Sequence, residues 1–255
     1  MRWRSFAALG DSFTEGLDDP YPDGTAYRGW ADIVAGRLAA EVPEFRYANL
    51  AVRGRLLSHV IDEQVPQVLA MRPELVSFAA GGNDALRRGF DADALIARFD
   101  RAIATIRESG ADVILFRFSD FSRRLPGGRR ILLPRVQRLN AAADDVARRH
   151  GAYLVDLWSD EAFYNPRMWS VDRLHFSSAA HQRVAAHVLA TLGFESDPAW
   201  LSAPPPPDAA SWAARRAADA VWARQHLAPW VRRRLAGRSS GDLQLAKRPT
   251  LAPPP

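Results

Sequence analysis

The stretch Ala7-Ala8-Leu9-Gly10-Asp11-Ser12-Phe13-Thr14-Glu15-Gly16 decides how the rest of the chain is read. An apolar run from Phe6 to Leu9 stops abruptly at Gly-Asp-Ser. That is the pattern of a buried strand ending in a tight turn, with a hydroxyl held at its carboxyl end. In open α/β sheets ligands bind at this edge. A serine there becomes a nucleophile when a base reaches it and donors are ready for the oxyanion.

Outward from this stretch, strand-like and helix-like segments alternate. Apolar or β-branched runs occur at 6–9, 47–52, 75–80, 113–118 and 153–157. Between and after them, helical spacing of apolar residues covers 26–41, 56–71 (with Pro66 as a kink or break), 92–109, 131–149 and 178–192. Five strands alternating with helices imply right-handed βαβ units and a parallel sheet covered on both faces. Two longer loops interrupt the alternation, at 17–25 and 119–130. The second carries Arg123, Arg124, Arg129 and Arg130. It reads as a solvated surface loop or as a mobile rim of a pocket at the Ser12 edge.

The chain has 255 residues, 47% of them hydrophobic, enough for one domain of about 200 residues and an appendage. It has no cysteine, which excludes disulfides, zinc–thiolate sites and a cysteine nucleophile and fits a reducing compartment. The amino terminus runs straight into the first strand, leaving no room for a signal-peptide core. No apolar run approaches the roughly 20 residues that span a bilayer. The expectation is a cytoplasmic protein.

The formal charge of +5 is uneven: residues 196–255 hold nine basic residues against four aspartates, so the excess lies wholly in that segment and gives little reason to expect nucleic-acid binding. Pro204–Pro207 reads as a stiff linker, 208–236 as an Ala- and Arg-rich helical segment with three tryptophans and Pro229, and 237–255 as a polar, disordered tail. The expected domains are therefore 1–195, a linker and helical extension at 196–236, and a tail at 237–255. The extension packs back on its own domain or makes peripheral contact with an anionic membrane; its many alanines give little apolar depth and favour the first.

A base for Ser12 is sought among six histidines. His175 stands apart. It lies in the loop between the last strand and the last helix, three residues after Asp172. On a turn, that spacing lets the carboxylate accept from Nδ1–H while Nε2 faces outward. The other reading pairs Asp172 with Arg173. Ser177 or Ser178 caps the following helix. His59, His150, His181, His187 and His226 fall on helical segments without such a partner and read as structural or exposed. Donors for an oxyanion are offered by Gly81-Gly82-Asn83 after the third strand, by Gly54 after the second, and by the Ser12 N–H. Each glycine alone reads equally well as an ordinary turn; together, four loops at one sheet edge offer the required groups.

These blocks resemble, in order, the motifs of the GDSL or SGNH hydrolase family: Gly10-Asp11-Ser12, Gly54, Gly82-Asn83-Asp84, and Asp172 with His175. The resemblance covers residues 5–192, with phenylalanine following Gly-Asp-Ser where leucine is the namesake. It implies a flavodoxin-like three-layer α/β/α sandwich on a five-stranded parallel sheet. It also implies Ser12 as nucleophile, His175 as base, Asp172 as orienter, and Ser12 N–H, Gly54 N–H and Asn83 as oxyanion donors, with no metal or cofactor. The expected activity is hydrolysis of small or short-acyl carboxylic esters, such as acetyl esters of a sugar or lipid. Alternatives are a lysophospholipase or thioesterase using Arg123, Arg124, Arg129 and Arg130 on anionic substrates, and a non-catalytic binding module using the basic tail.

Overall fold

The computed structural model describes residues 3–24, 26–125, 128–207, 211–236 and 239–255. Thr25, Pro126 and Gly127 of the two expected loops lie outside them, as do Asp208 of the helical extension and Arg238 of the tail. The chain begins with β1 (Ser5–Gly10), the single turn α1 (Ser12–Glu15), α2 (Gly29–Ala39) and β2 (Arg46–Asn49). Next come α3 (Leu57–His59), a π-helical turn at Val60–Gln64, α4 (Val65–Met71), β3 (Leu75–Ala79), α5 (Gly82–Ala85) and α6 (Ala92–Glu108). β4 (Asp112–Arg117), α7 (Gly128–His150), β5 (Tyr153–Asp156) and α8 (Ser178–Leu192) complete the alternation.

The strand order is β5-β4-β3-β1-β2, with these five parallel and a sixth strand beyond β2. Successive side chains of a strand point to opposite faces, and β1 shows the consequence. Phe6 and Ala8 join a core with Trp30 and Val34 of α2 and Val184 and Val188 of α8. Ala7 and Leu9 join the other core, with Val68 of α4, Ile103 and Ile106 of α6 and Val146 of α7. Because both faces are covered, the strand is a continuous apolar run rather than an alternating one.

The chain passes from β1 to β2 on one side and then crosses back to β3 on the other. The carboxyl end of β1 is therefore the switch point of the sheet, where a crevice opens. Gly10 ends the strand there at φ +154°, and a Cβ on it would lie 2.5 Å from the Ala79 carbonyl oxygen and 2.7 Å from Thr14 Oγ1. The buried Gln64 side chain fixes the same residue, accepting from Gly10 N–H at 2.8 Å and donating to its carbonyl at 2.9 Å.

The tail, not the helical extension, departs from expectation. α9 (Trp212–Trp222) runs through a π-helical turn, Ala223–Leu227, into α10 (Ala228–Leu235). In both π-turned helices a proline, Pro66 or Pro229, follows the wide turn by two residues; a proline has no N–H to close the normal ladder, and the backbone widens instead of breaking. The tail read as disordered forms β6 (Arg248–Ala252), antiparallel to β2. The sheet thus has six strands, not five, and the sixth is antiparallel. Lys247, the chain's single lysine, holds that strand down. Its Nζ meets Asp32 Oδ1 at 2.8 Å and donates to the carbonyls of Tyr27 and Arg28. Asp32 also accepts from the Tyr21 and Tyr47 hydroxyls. Among the described residues no helix is long and apolar enough to cross a membrane.

Candidate active site

Asp11 caps α1, its carboxylate accepting from Phe13 N–H at 3.1 Å, so the helical turn begins with Ser12 at the end of β1. Across the crevice, the loop before α8 is closed by a bridge between Trp169 and Phe176 and by the Ser170 N–H bonded to the His175 carbonyl at 2.8 Å. Within it Asp172 Oδ1 accepts from the backbone N–H groups of Leu174 and His175, each at 2.9 Å. These bonds fold the turn so that Asp172 Oδ2 lies 2.5 Å from His175 Nδ1. His175 Nε2 then lies 3.0 Å from Ser12 Oγ. A carboxylate can only accept, so Nδ1 carries the proton and Nε2 is left to accept from the serine hydroxyl. Asp172 pairs with His175 rather than Arg173, whose guanidinium meets Asp219 at 2.7 Å. Ser177 caps α8.

Burial disfavours the His175 cation, but the hydrogen bond and charge of Asp172, aided by Asp18 and Asp11, outweigh it and raise its pKa above the usual value. For Asp172 burial acts in the other sense, and the bonds from His175 and the loop backbone hold its carboxyl below the usual range. Asp11 is pushed up to about 6, chiefly by burial and against the bond from Phe13. Asp18 sits in the left-handed region at φ +71° and accepts from Ser170 Oγ at 2.5 Å. Among the described residues Asp18, Asp172 and His175 form the one group with metal-ligand atoms within 4.8 Å of one another, and those atoms already engage Ser170, Ser12 and each other.

Asn83 and Gly54 reach the same place. Asn83 Nδ2 donates to Asp11 Oδ2 at 3.0 Å and to the Arg55 carbonyl at 3.1 Å, which fixes the amide. Gly54 adopts φ +74°, a conformation that favours glycine. Arg53 beside it is locked to Glu15, its backbone N–H at 2.7 Å and its Nε at 2.9 Å from the carboxylate.

Two cavities meet at Ser12 and His175. The inner one, about 100 Å³, is walled mainly by apolar side chains, among them Phe13, Phe118, Phe121, Leu157, Trp169 and Phe176. The outer one, about 380 Å³, is bounded by Gly54 and Asn83 on one side and by the extension on the other. The expected loop 119–130 contributes Ser119, Phe121 and Leu125 to these walls, but its arginines do not line them. Arg123 bonds Asp120 at 2.9 Å and covers the Tyr164 ring at 4.0 Å, and Arg129 and Arg130 are exposed in the first turn of α7.

The family profile described as GDSL-like lipase/acylhydrolase matches residues 8–183, more than half of the chain. The chain belongs to that family. It is therefore an ester-hydrolysing enzyme. The structure of TesA is similar at 25% identity over 74% of this chain and 97% of that one, with a TM-score of 0.60. Axe2, an acetylxylan esterase from Geobacillus stearothermophilus, shares the fold at 20% identity over 80% of this chain and 100% of its own, with a TM-score of 0.63. LAE5, an α/β hydrolase enzyme from the metagenome of Lake Arreo, Spain, does so at 22% identity over 76% and 96%, with a TM-score of 0.61. No curated protein matches the chain significantly.

In this GDSL-like hydrolase the remaining histidines separate by position. His59 accepts from Leu56 N–H as a cap, and His181 is buried between Trp30 N–H and the Leu17 carbonyl, its pKa pushed down to about 4 by burial. His150 and His187 do have carboxylate partners, Asp100 and Asp160, contrary to expectation, but neither lines a cavity at Ser12. His226 was expected to be structural or exposed and instead lines the outer cavity. Asp18 also escaped the sequence reading; only its nearness to the Gly-Asp-Ser turn marks it.

Proposed function

We propose that the enzyme cleaves short-acyl carboxylic esters through an acyl-enzyme on Ser12. The observation that carries this reading is the Ser12–His175–Asp172 chain of hydrogen bonds at the mouth of a small apolar cavity. In this scheme His175 Nε2 takes the Ser12 proton as Oγ attacks the ester carbonyl. Asp172 holds the ring and stabilises its cation. The Ser12 N–H, Gly54 N–H and Asn83 amide receive the oxyanion; for Asn83 that bond replaces or shares one of those to Asp11 and Arg55. His175 then protonates the leaving alcohol, and water activated by the same ring releases the acid. Three further Axe2 structures are of catalytic mutants at a serine, an aspartate and a histidine, the last two three residues apart, the spacing of Asp172 and His175.

The inner cavity suits the acyl group: it is apolar and small, which favours acetyl to butyryl chains over long ones. The alternative anion-binding role for Arg123, Arg124, Arg129 and Arg130 finds no support, since none of them lines a cavity at Ser12. Residues 1–195 are read as the catalytic unit and 196–255 as an extension docked on it. A panel of p-nitrophenyl esters of rising chain length tests the reading. Turnover should peak at two to four carbons, on the order of the cavity's size, and vanish in Ser12→Ala. A peak at long chains, or hydrolysis that survives the substitution, contradicts it.

A further inference from the structure

The outer cavity is closed by residues that lie beyond the family match, which ends at residue 183. They are tied to the site at several points. The Pro-rich linker leaves α8 and is held by Asn165, whose Nδ2 donates to the Pro205 carbonyl at 2.8 Å. Trp222, 6% exposed, donates from Nε1 to the Asp172 carbonyl at 2.9 Å, so the extension rests directly on the turn that aims His175. Arg173 on that turn reaches back, pairing with Asp219 at 2.7 Å and covering the Trp222 ring at 4.8 Å. Further on, Ser239 Oγ donates to the Gly54 carbonyl at 3.3 Å. β6 and the half-buried Lys247 then anchor the end to the sheet. Between these anchors His226, Leu227, Pro229, Trp230 and Arg233 form the wall facing Ser12 and His175.

The wall differs from the inner cavity in charge as well as size. Among the described residues lining it, the one carboxylate is Asp172, which is bonded to His175. Arg53 is neutralised by Glu15. Arg233 is exposed and has no ion-pair partner among the described residues. A guanidinium is suited to carboxylate or phosphate oxygens.

We infer that the wall from Trp222 to Arg233 forms a leaving-group pocket and that Arg233 in it selects esters whose alcohol portion carries an anionic group. The inference rests on the esterase reading and names the substrate class for that site. The acyl group occupies the apolar inner cavity. The departing alcohol, protonated by His175, occupies the outer one with its carboxylate or phosphate against Arg233.

The test uses the full chain and two acetate esters of nearly equal shape, those of 4-hydroxybenzoate and of its methyl ester. Arg233→Gln should raise KM for the carboxylate ester about three- to fivefold, the range of an exposed ion pair, and leave the neutral ester unchanged. The wild-type preference should shrink with added salt. Arg232→Gln removes the same charge next door, outside the lining, and should alter neither ester. Equal changes for both esters, or the same change from Arg232→Gln, overturn the inference while leaving the esterase reading in place. Absence of Ser12-dependent turnover of either ester removes the esterase reading and the inference with it.

Discussion

The two cavities that meet at Ser12 are built in different ways. The inner one is walled by residues from strand ends and the loops that follow them, within the span shared with the family. Its walls are aromatic and packed on the sheet's own core. The outer one is closed by a segment that returns across the site after the α/β alternation is complete, and its walls mix tryptophan, histidine and arginine. A site positioned by a sheet edge inherits the rigidity of the sheet. A wall positioned by an extension depends on a few anchors, so variants can be chosen that touch one cavity and not the other.

The largest expected effect lies on the chemical side of that division. Asn83→Ala should lower kcat about 10²- to 10³-fold, as the loss of one oxyanion donor does, with the leaving-group preference intact. A loss confined to KM would instead place Asn83 in binding. Next comes the anchor of the wall. Lys247→Met leaves the buried Asp32 carboxylate without its cation and should cost up to about 3 kcal/mol in denaturant unfolding. Protease sensitivity should appear in 196–247, and acyl-chain preference should not move. If the acyl profile changed as well, the two cavities would not be independent.

The smallest effect is a titration. The base must be neutral to act, so kcat/KM falls as pH drops through the His175 pKa, and that pKa lies above the ordinary 6.5 because Asp172 outweighs burial. Asp18→Asn removes one of the anions that favour the cation and should move the acid limb to lower pH by some tenths of a unit, about the scale of a partly screened charge. A limb that stays in place or moves upward excludes Asp18 from the electrostatics of the site.

The same contrast explains what could be read from the sequence. The strands of the parallel sheet are apolar on both faces, so they stand out as runs, and the candidate groups Ser12, Gly54 and Asn83 follow within two to five residues of their carboxyl ends. The Asp172-to-His175 spacing is local, and a single turn closes it. β6 carries no such signal. It is short, polar and contains Pro249, which reads against a strand except at a sheet edge, where it is found. Its partner β2 and the Asp32 that receives Lys247 lie some 200 residues earlier in the chain. Arg233 and His226 reach the site only through such long-range placement, and no local spacing marks them; Asp18 lies six residues after Ser12 but in no motif.

The central claim is that acyl transfer passes through Ser12, and trapping tests it most directly. The enzyme would be mixed with p-nitrophenyl acetate, quenched in acid during the first turnover, digested and analysed by mass spectrometry. One acetyl group is expected on the peptide carrying Ser12, and none in Ser12→Ala or His175→Ala. An acetyl group on another residue, or turnover by Ser12→Ala at the wild-type rate, would contradict it.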